Sequence, residues 1–336
     1  LDINNDPEGQ DAHAGWMPMT LERRATSISQ ADLDTRLLRY FLAVVQEGSI
    51  RKAATILNVA ASAISRQLTD LEQRLGLPLL ERLPRGVRPT EAGKAIADHA
   101  RQQVDEGERL LDYLRQLHGL RVGAVRIRCG EGFIGDLMEN GIGSFSASLP
   151  DIRLQILLGG TAEIMDSVAE SRVDVGLAYD PGPHVGVRSI AVSRQPLQLL
   201  VAPDHPAVGS PPISLRDVAG QHLALLTGSH GIRQLLARVE ADQGFHLVPR
   251  VEASSIEVVK RFAMSGRGIT FLPAFAATTE IADGRLRAIP LTDPLLTQAA
   301  AHLLVRSQRR LPTTIDRMVG CLVASMSAFS DAAPDR

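Results

Sequence analysis

Aromatic residues make up only 4% of the 336 positions, and tryptophan occurs once. Single-stranded nucleic acid is usually gripped by stacking bases on aromatic rings, so any nucleic-acid partner is expected to be a duplex. Cysteine is scarcer still: Cys129 and Cys321 lie far apart, without neighbours at metal-ligand spacing. That excludes a disulfide framework and a zinc module, and leaves structural thiols in a reducing compartment as the first reading, with a redox switch as the sharper one. Nothing local points to a depressed thiol pKa. No apolar run approaches the roughly 20 residues of a spanning helix. The amino end also lacks the basic flank and apolar block of a secretion signal, so a cytoplasmic protein with no membrane partner is expected.

An excess of charge is missing too. Thirty-six Lys and Arg against 38 Asp and Glu leave a formal net charge of -2, so a basic surface has to be local if it exists. Motifs of catalysis are thin: there is no His-Glu-x-x-His and no phosphate loop ending in Gly-Lys-Ser or Gly-Lys-Thr. Met264-Ser265-Gly266-Arg267-Gly268 lacks the first glycine of a nucleophile elbow, and its expected order, helix to strand, is the reverse of what an elbow needs. No enzyme, no metal and no cofactor is expected. With 44% hydrophobic residues, the chain is long enough for two or three domains with cores.

The informative stretch runs from Leu37 to Thr90. Two short amphipathic helices meet at Asn58, a residue that tolerates the left-handed backbone ending a helix. Ala53 and Ala54 permit a close crossing, Leu57 and Val59 fill the corner, and Ile64, Leu68 and Leu71 give the second helix a buried stripe. Between residues 51 and 88, Arg51, Lys52, Arg66, Arg74, Arg82, Arg85 and Arg88 face only Asp70, Glu72 and Glu81. This local basicity fits a polyanion at one site. The turn-rich Leu83-Pro84-Arg85-Gly86-Val87-Arg88-Pro89 reads as a hairpin wing that lays arginines along phosphates. A helix-turn-helix with its second helix in the major groove is the functional reading, and a purely structural hairpin the bland one.

Phe41-Leu42-Ala43-Val44-Val45, Gly48-Ser49-Ile50, Ala53-Ala54, Ile64-Ser65-Arg66-Gln67, Leu71-Glu72, Leu75-Gly76, Pro78-Leu79-Leu80-Glu81-Arg82 and Thr90-Glu91-Ala92-Gly93 carry a specific resemblance. In order and spacing they resemble the LysR-type transcriptional regulators, and a looser similarity continues to about Ser330. The resemblance implies an α/β protein with an α-rich winged helix-turn-helix at its amino end, a dimerising helix and a two-lobed, periplasmic-binding-protein-like effector domain. It also implies a homodimer, a homotetramer on double-stranded DNA, DNA bending altered by an effector, and contact with RNA polymerase. Two departures stand out. Relatives begin a few residues before the first helix, whereas here a polar leader, 1–31, reads as a mobile extension, with Met17 or Met19 as alternative starts. Relatives commonly carry Ser-Gln-Pro where this chain has Ala60-Ala61-Ser62; Ala61 cannot hydrogen-bond a base edge, though it can meet a thymine methyl, so altered sequence preference is expected.

The expected domains are the winged helix at 32–89, the linker helix at 90–120, the effector domain at 121–330 and a tail at 331–336. Lys52, Ala61, Ser62, Ser65, Arg66, Gln67, Arg82, Arg85 and Arg88 form the expected DNA-contacting set. In the linker helix, Ala97, Ala100, Val104, Gly107, Leu111 and Leu114 recur three and four apart, an apolar seam for a partner helix or for its own domain. Gly119 and Gly123 would mark the hinge beyond it.

Strands and helices then alternate. The first lobe is expected at about 121–195 with 308–330, including a helix from Phe133 to Ser148, and the second at 196–307. Small-molecule sites in such folds lie at strand carboxyl ends. Those ends offer Glu131, Gly132, Thr161, Tyr179, Thr227, Ser229, His230, Ser254 and Ser255 as candidate effector contacts, although Ser and Thr there also serve as ordinary helix caps. Glu131 disfavours an anion and suits a cationic or hydrogen-bond-donating effector, unless it merely steadies its own helix dipole. His230 either titrates or caps. The effector's identity is not readable. A solute-binding protein with a helical interaction module is the alternative function, and an enzyme with an added DNA domain a third.

Overall fold

The computed structural model describes residues 33–117, 123–208, 212–307, 310–331 and 333–334; the leader and the hinge at Gly119 lie outside them. Helix α1 (Thr35–Glu47) starts where the Asp34 carboxylate accepts from the Arg36 amide at 3.1 Å and stops at Gly48, φ +58°. Ser49 then caps α2 (Ile50–Leu57), and Asn58 ends it in the left-handed region, φ +53°. After this one residue of αL backbone and a short extended step, α3 (Ala61–Leu75) leaves in a new direction. Phe41, Val44, Ala53, Ile64 and Leu71 are fully buried where the three helices meet.

Strands β1 (Leu80–Leu83) and β2 (Gly86–Pro89) form an antiparallel wing closed between Leu83 and Gly86. Its tip is fixed by contact of two glycines: a Cβ on Gly86 would sit 2.3 Å from the Gly48 carbonyl, and the Val87 amide donates to that carbonyl at 2.9 Å. Gly86 also has φ +99°, so no other residue fits there without moving the wing.

Helix α4 (Glu91–Leu117) begins with the Thr90 hydroxyl accepting from the Gly93 amide at 3.0 Å. The seam expected along it is divided. Ala97 is buried in the three-helix core with Leu37 and Phe41, and Ala100 against Leu38 and Leu42 of the same α1, with Val104 beside it. Leu110, Leu111 and Leu114 remain exposed. The physical reason is reach: α1 is 13 residues long and covers only the first half of a 27-residue rod.

The first lobe is a six-stranded mixed sheet in the order β13-β6-β12-β5-β3-β4. Strand β3 (Gly123–Cys129) runs parallel to β4 (Ile152–Leu158) and β5 (Val175–Tyr179). The crossover between β3 and β4 is helical without interruption from Ile134 to Ser148, close to the expected span from Phe133 to Ser148, but its winding changes along the way. It consists of α5 (Ile134–Asp136), a π-helical turn at Leu137–Gly141 and α6 (Ile142–Ser148). At the first change of winding, the Asp136 carboxylate accepts from the amides of Ser327 and Ala328 at 2.9 and 2.7 Å. Helix α7 (Thr161–Ala169) returns the chain to β5.

Strand β6 (Val187–Arg194) pairs with β12 (Ala300–Arg306), which inserts antiparallel beside β5. The second-lobe boundary expected at 307 is therefore too late: β12 belongs to the first-lobe sheet, where its nearly continuous burial is satisfied. The expected tail likewise contributes β13 (Ala333–Pro334), an edge strand on β6. Helix α12 (Thr313–Ser325) covers the face made by α6 and the π turn.

The second lobe holds β7 (Leu197–Val201), β8 (Leu223–Leu226), α8 (Gly231–Gln243), β9 (Pro249–Ala253), α9 (Ile256–Met264), β10 (Thr270–Pro273), α10 (Thr278–Ala282), β11 (Arg287–Pro290) and α11 (Pro294–Thr297). Its sheets are β10-β7-β11, antiparallel, and the parallel pair β8-β9. The crossovers after β6 and before β12 place the lobes side by side. The carboxyl ends of β3, β5 and β8 then face one another across a cleft.

Candidate functional site

The first candidate surface is the outward face of α3. Ser62 and Arg66 are exposed, one turn apart, while Ala61, Ser65 and Gln67 are half-buried beside them. Ile64, Leu68 and Leu71 anchor the opposite face. The 3.6-residue period therefore forces Ser62, Arg66 and their neighbours outward. Among the described residues no carboxylate pairs with Lys52, Arg66, Arg82 or Arg85. Arg88 differs: its guanidinium lies 2.8 Å from Glu81 across the wing, in a pair exposed to solvent. Such a pair is weak and is readily exchanged for a phosphate.

Beside the bend, Arg51, Thr55, Asn58 and Ala61 line a shallow concavity. Arg51 was not among the expected contacts, yet it lies on the same exposed face. Its position one residue before Lys52 was the available signal.

The second candidate is the interlobe cleft, where the lobes touch directly. The Thr161 amide donates to the Ser229 carbonyl at 3.0 Å. The Asp180 carboxylate meets Arg238, and the Phe133 and Phe275 rings lie 4.8 Å apart between centroids. About 30 Å³ remains between Gly130, Thr161, Tyr179, His230, Ile256 and Phe275, room for a water or two.

Of the expected effector contacts, Glu131, Gly132, Thr161, Tyr179 and His230 line this space. Tyr179 is buried and directs its hydroxyl to the Gln195 carbonyl at 2.7 Å, and burial, with the Asp180 charge, holds its pKa well above the ordinary value. It presents a ring, not a titratable group. Thr227 and Ser229 cluster with His230, their hydroxyls each 3.3 Å from its Nδ1, but do not line the space themselves. Ser254 is exposed. Ser255 donates its hydroxyl to Glu131 at 2.8 Å, and the Ile256 amide donates to the same carboxylate at 2.6 Å.

Glu131 therefore does not cap its own helix, as the dull alternative would have it. It caps α9 of the opposite lobe, because the turn after β3 points it across the cleft. Sequence reasoning passed over the apolar lining, Phe133, Ile256, Phe275 and Ala276. The signal was there, since Phe275 and Ala276 follow the end of β10 just as the other candidates follow their strands.

The sequence is expected to carry no dinucleotide Gly-x-Gly-x-x-Gly after a strand, and that expectation is wrong: Gly130-Glu131-Gly132-Phe133-Ile134-Gly135 has this spacing directly after β3. Its geometry serves another purpose. A Cβ on Gly132 would stand 3.0 Å from Ile256 and 3.3 Å from Ala276, so the glycine admits the opposite lobe where that motif would admit a pyrophosphate.

Behind the Glu131 contact lies a larger cavity of about 360 Å³, reaching Glu139, Glu257, Lys260 and Glu280. Lys260 is held by Glu280 at 2.7 Å and Glu257 at 3.4 Å. Among the described residues no group of three or more His, Cys, Asp or Glu side chains is placed to hold a metal. Cys129 is wholly buried, and that burial pushes its thiol pKa up to about 12.

Comparison with known proteins places these two surfaces in one family. Residues 35–94 match the family described as bacterial regulatory helix-turn-helix protein, lysR family, and residues 118–327 match the LysR substrate binding domain. The chain belongs to the LysR family of transcriptional regulators. Among relatives of this LysR-type chain, a probable RuBisCO transcriptional regulator of Cyanidioschyzon merolae is 30% identical over 73% of this chain and 82% of its own length. The HTH-type transcriptional activator CmpR of Synechocystis is 25% identical over 87% and 95%.

Solved structures agree in fold. A full-length OxyR variant from Pseudomonas aeruginosa superposes with a TM-score of 0.69 at 21% identity, covering 90% of this chain and 98% of its own. Full-length CbnR complexed with its target DNA gives 0.51 at 21%, covering 87% and 99%. The regulator thus joins a DNA-binding helix-turn-helix domain to an effector-binding domain. No described helix is long and apolar enough to cross a membrane.

Proposed function

We propose that this LysR-type regulator reads a pseudo-palindromic duplex in the cytoplasm as a homodimer or a pair of dimers. In this reading α3 lies in the major groove, Ser62, Ser65, Arg66 and Gln67 meet base edges, and Lys52, Arg51 and the wing arginines Arg82, Arg85 and Arg88 meet phosphates. The observation that carries the reading is the exposed, unpaired Arg66 beside Ser62 on a helix whose other face is locked into the core. Dimerisation through α4 is supported by the exposed Leu110, Leu111 and Leu114, which follow directly on the part of the rod that α1 covers. Two-fold symmetry then sets half-sites about 10 base pairs, or a multiple of that, apart.

The effector seat in this proposal is the interlobe cleft with its adjoining cavity, of a size suited to a small metabolite. Coupling runs through two contacts from the first lobe to the DNA-binding half, the first of them steadied by a hydrogen bond within the lobe. Arg306 of β12 binds Asp105 of α4 at 3.0 Å and the Ser171 hydroxyl at 3.1 Å, and the Gln46 side chain of α1 donates to the Glu170 carbonyl at 3.1 Å. A change of lobe packing at the end of α7 would thereby be felt at α1 and α4. Binding of a random duplex pool followed by selection tests the proposal: recovery of a two-fold symmetric consensus by the wild type, lost with Arg66→Ala, is the expected result. Retention of no duplex in dilute salt would refute it.

A further inference from the structure

The amide end of α9 is the kind of place at which two-lobed folds hold a ligand's anionic group, since free N–H donors and the helix dipole converge there. Here a carboxylate already sits in it. Glu131 from the first lobe accepts the Ser255 hydroxyl at 2.8 Å and the Ile256 amide at 2.6 Å, and Ile256 is itself buried. The surroundings are unsuited to a second anion. Among the described residues, the cleft lining contains Glu131 and His230 and no Lys or Arg. The cavity behind it carries Glu139, Glu257 and Glu280, with Lys260 already committed to the last two.

Gly132 lets the segment approach closely enough for Glu131 to reach, and the Phe133 and Phe275 rings meet across the same cleft. A free carboxylate or phosphate entering the cleft would have to displace a tethered one and then lie beside it, at a Coulombic cost enhanced by the poorly solvated surroundings.

We propose that Glu131 is a tethered ligand of the second lobe, a specificity determinant that latches the lobes together and closes the cleft to anions, reserving it for a neutral or positively charged effector. The inference rests on the reading of the cleft as the effector seat. The Glu131–α9 contact, however, can be tested without effector or DNA.

Sodium acetate serves as the probe, on the full-length protein, with sodium chloride at matched ionic strength as control and amide hydrogen exchange at Ile256 as readout. In the wild type, Ile256 is protected and acetate changes nothing. In Glu131→Ala, exchange at Ile256 accelerates and acetate restores protection, binding at least about tenfold more tightly than to the wild type, the equivalent of one charge-assisted hydrogen bond. Ser255→Ala in the Glu131→Ala background weakens that rescue. Glu131→Gln, which keeps size and one acceptor oxygen, gives intermediate exchange and guards against a variant that simply fails to fold.

Unchanged exchange in Glu131→Ala, or equal acetate binding by the wild type, overturns the proposal. If instead acetate rescue occurs but the variant's DNA binding and response to a metabolite panel are those of the wild type, the latch stands and the placement of the effector in this cleft fails.

Discussion

Replacing Arg306 by alanine removes one end of the contact that joins the effector domain to the linker helix. Arg306 and Asp105 are 9% and 11% exposed at their side chains and 3.0 Å apart. At that distance the gross attraction is about 5 kcal/mol for an effective dielectric near 20, but desolvating two ions costs several kcal/mol each, so the intact pair contributes little net. Breaking it is another matter. The buried aspartate keeps its desolvation while losing this part of its compensation, and the expected cost of Arg306→Ala is at most about 3–5 kcal/mol. Because both side chains also make further interactions, the single variant overstates the pair, and a double-mutant cycle with Asp105→Ala isolates it.

Urea unfolding of all four proteins should give a coupling energy of about 2–3 kcal/mol. Hydrogen exchange along residues 98–106 should rise in the single variants, because the cost falls first on the docking of α4 and only then on the domains. An effector that shifts the DNA footprint of the wild type should no longer do so in Arg306→Ala. A coupling energy below about 0.5 kcal/mol, with exchange in α4 unchanged, would refute the assignment of this pair as the joint between the two halves.

Four further outcomes are expected. Arg66→Ala should cost about 1–3 kcal/mol on the selected duplex and relax the consensus at one position, whereas Arg85→Ala should weaken all duplexes alike and lower the salt slope by about one, measured by fluorescence anisotropy across a salt series. Leu111→Asp with Leu114→Asp should drive the protein toward monomer in sedimentation velocity, since each leucine that finds a partner contributes about 1.5–3 kcal/mol. Cys129, with its thiol near 12, carries about one thiolate in ten thousand at pH 8; iodoacetamide should modify it only after denaturation, while half-buried Cys321 reacts in the native protein.

The last outcome concerns acid. Burial holds the His302 imidazole, hydrogen-bonded to Ser189 at 2.9 Å, below its ordinary pKa of 6.5, against a smaller opposing pull from Asp180. The unfolded chain then takes up a proton that the folded one refuses, so stability is full above about pH 6.5 and declines as the pH drops below it. His302→Gln should flatten that part of a melting-temperature profile, and an unchanged slope would remove His302 as its source.

Residues adjacent in sequence settled the DNA-binding half. Ser49, Asn58 and Gly48 cap or end helices through local backbone preference, and Ile64, Leu68 and Leu71 fix by period alone which way Ser62 and Arg66 point. The order of strands and helices in the effector domain was legible for the same reason, since each alternation is a short-range pattern.

Contacts between distant segments decided the rest. Half of the α4 seam is spent on α1, a fact that depends on where α1 lies and how far it extends. Strand β12 reads like any buried strand, and only its pairing with β5 and β6 assigns it to the first lobe. The Asp136 carboxylate on the crossover helix finds its partners in amides almost two hundred positions away. Glu131 could be named from the sequence as an unusual carboxylate at a strand end, but the side chain reaches a helix 125 residues on. Period and capping act over a few residues, whereas the partner of a charge is whatever group folding brings to within three ångströms of it.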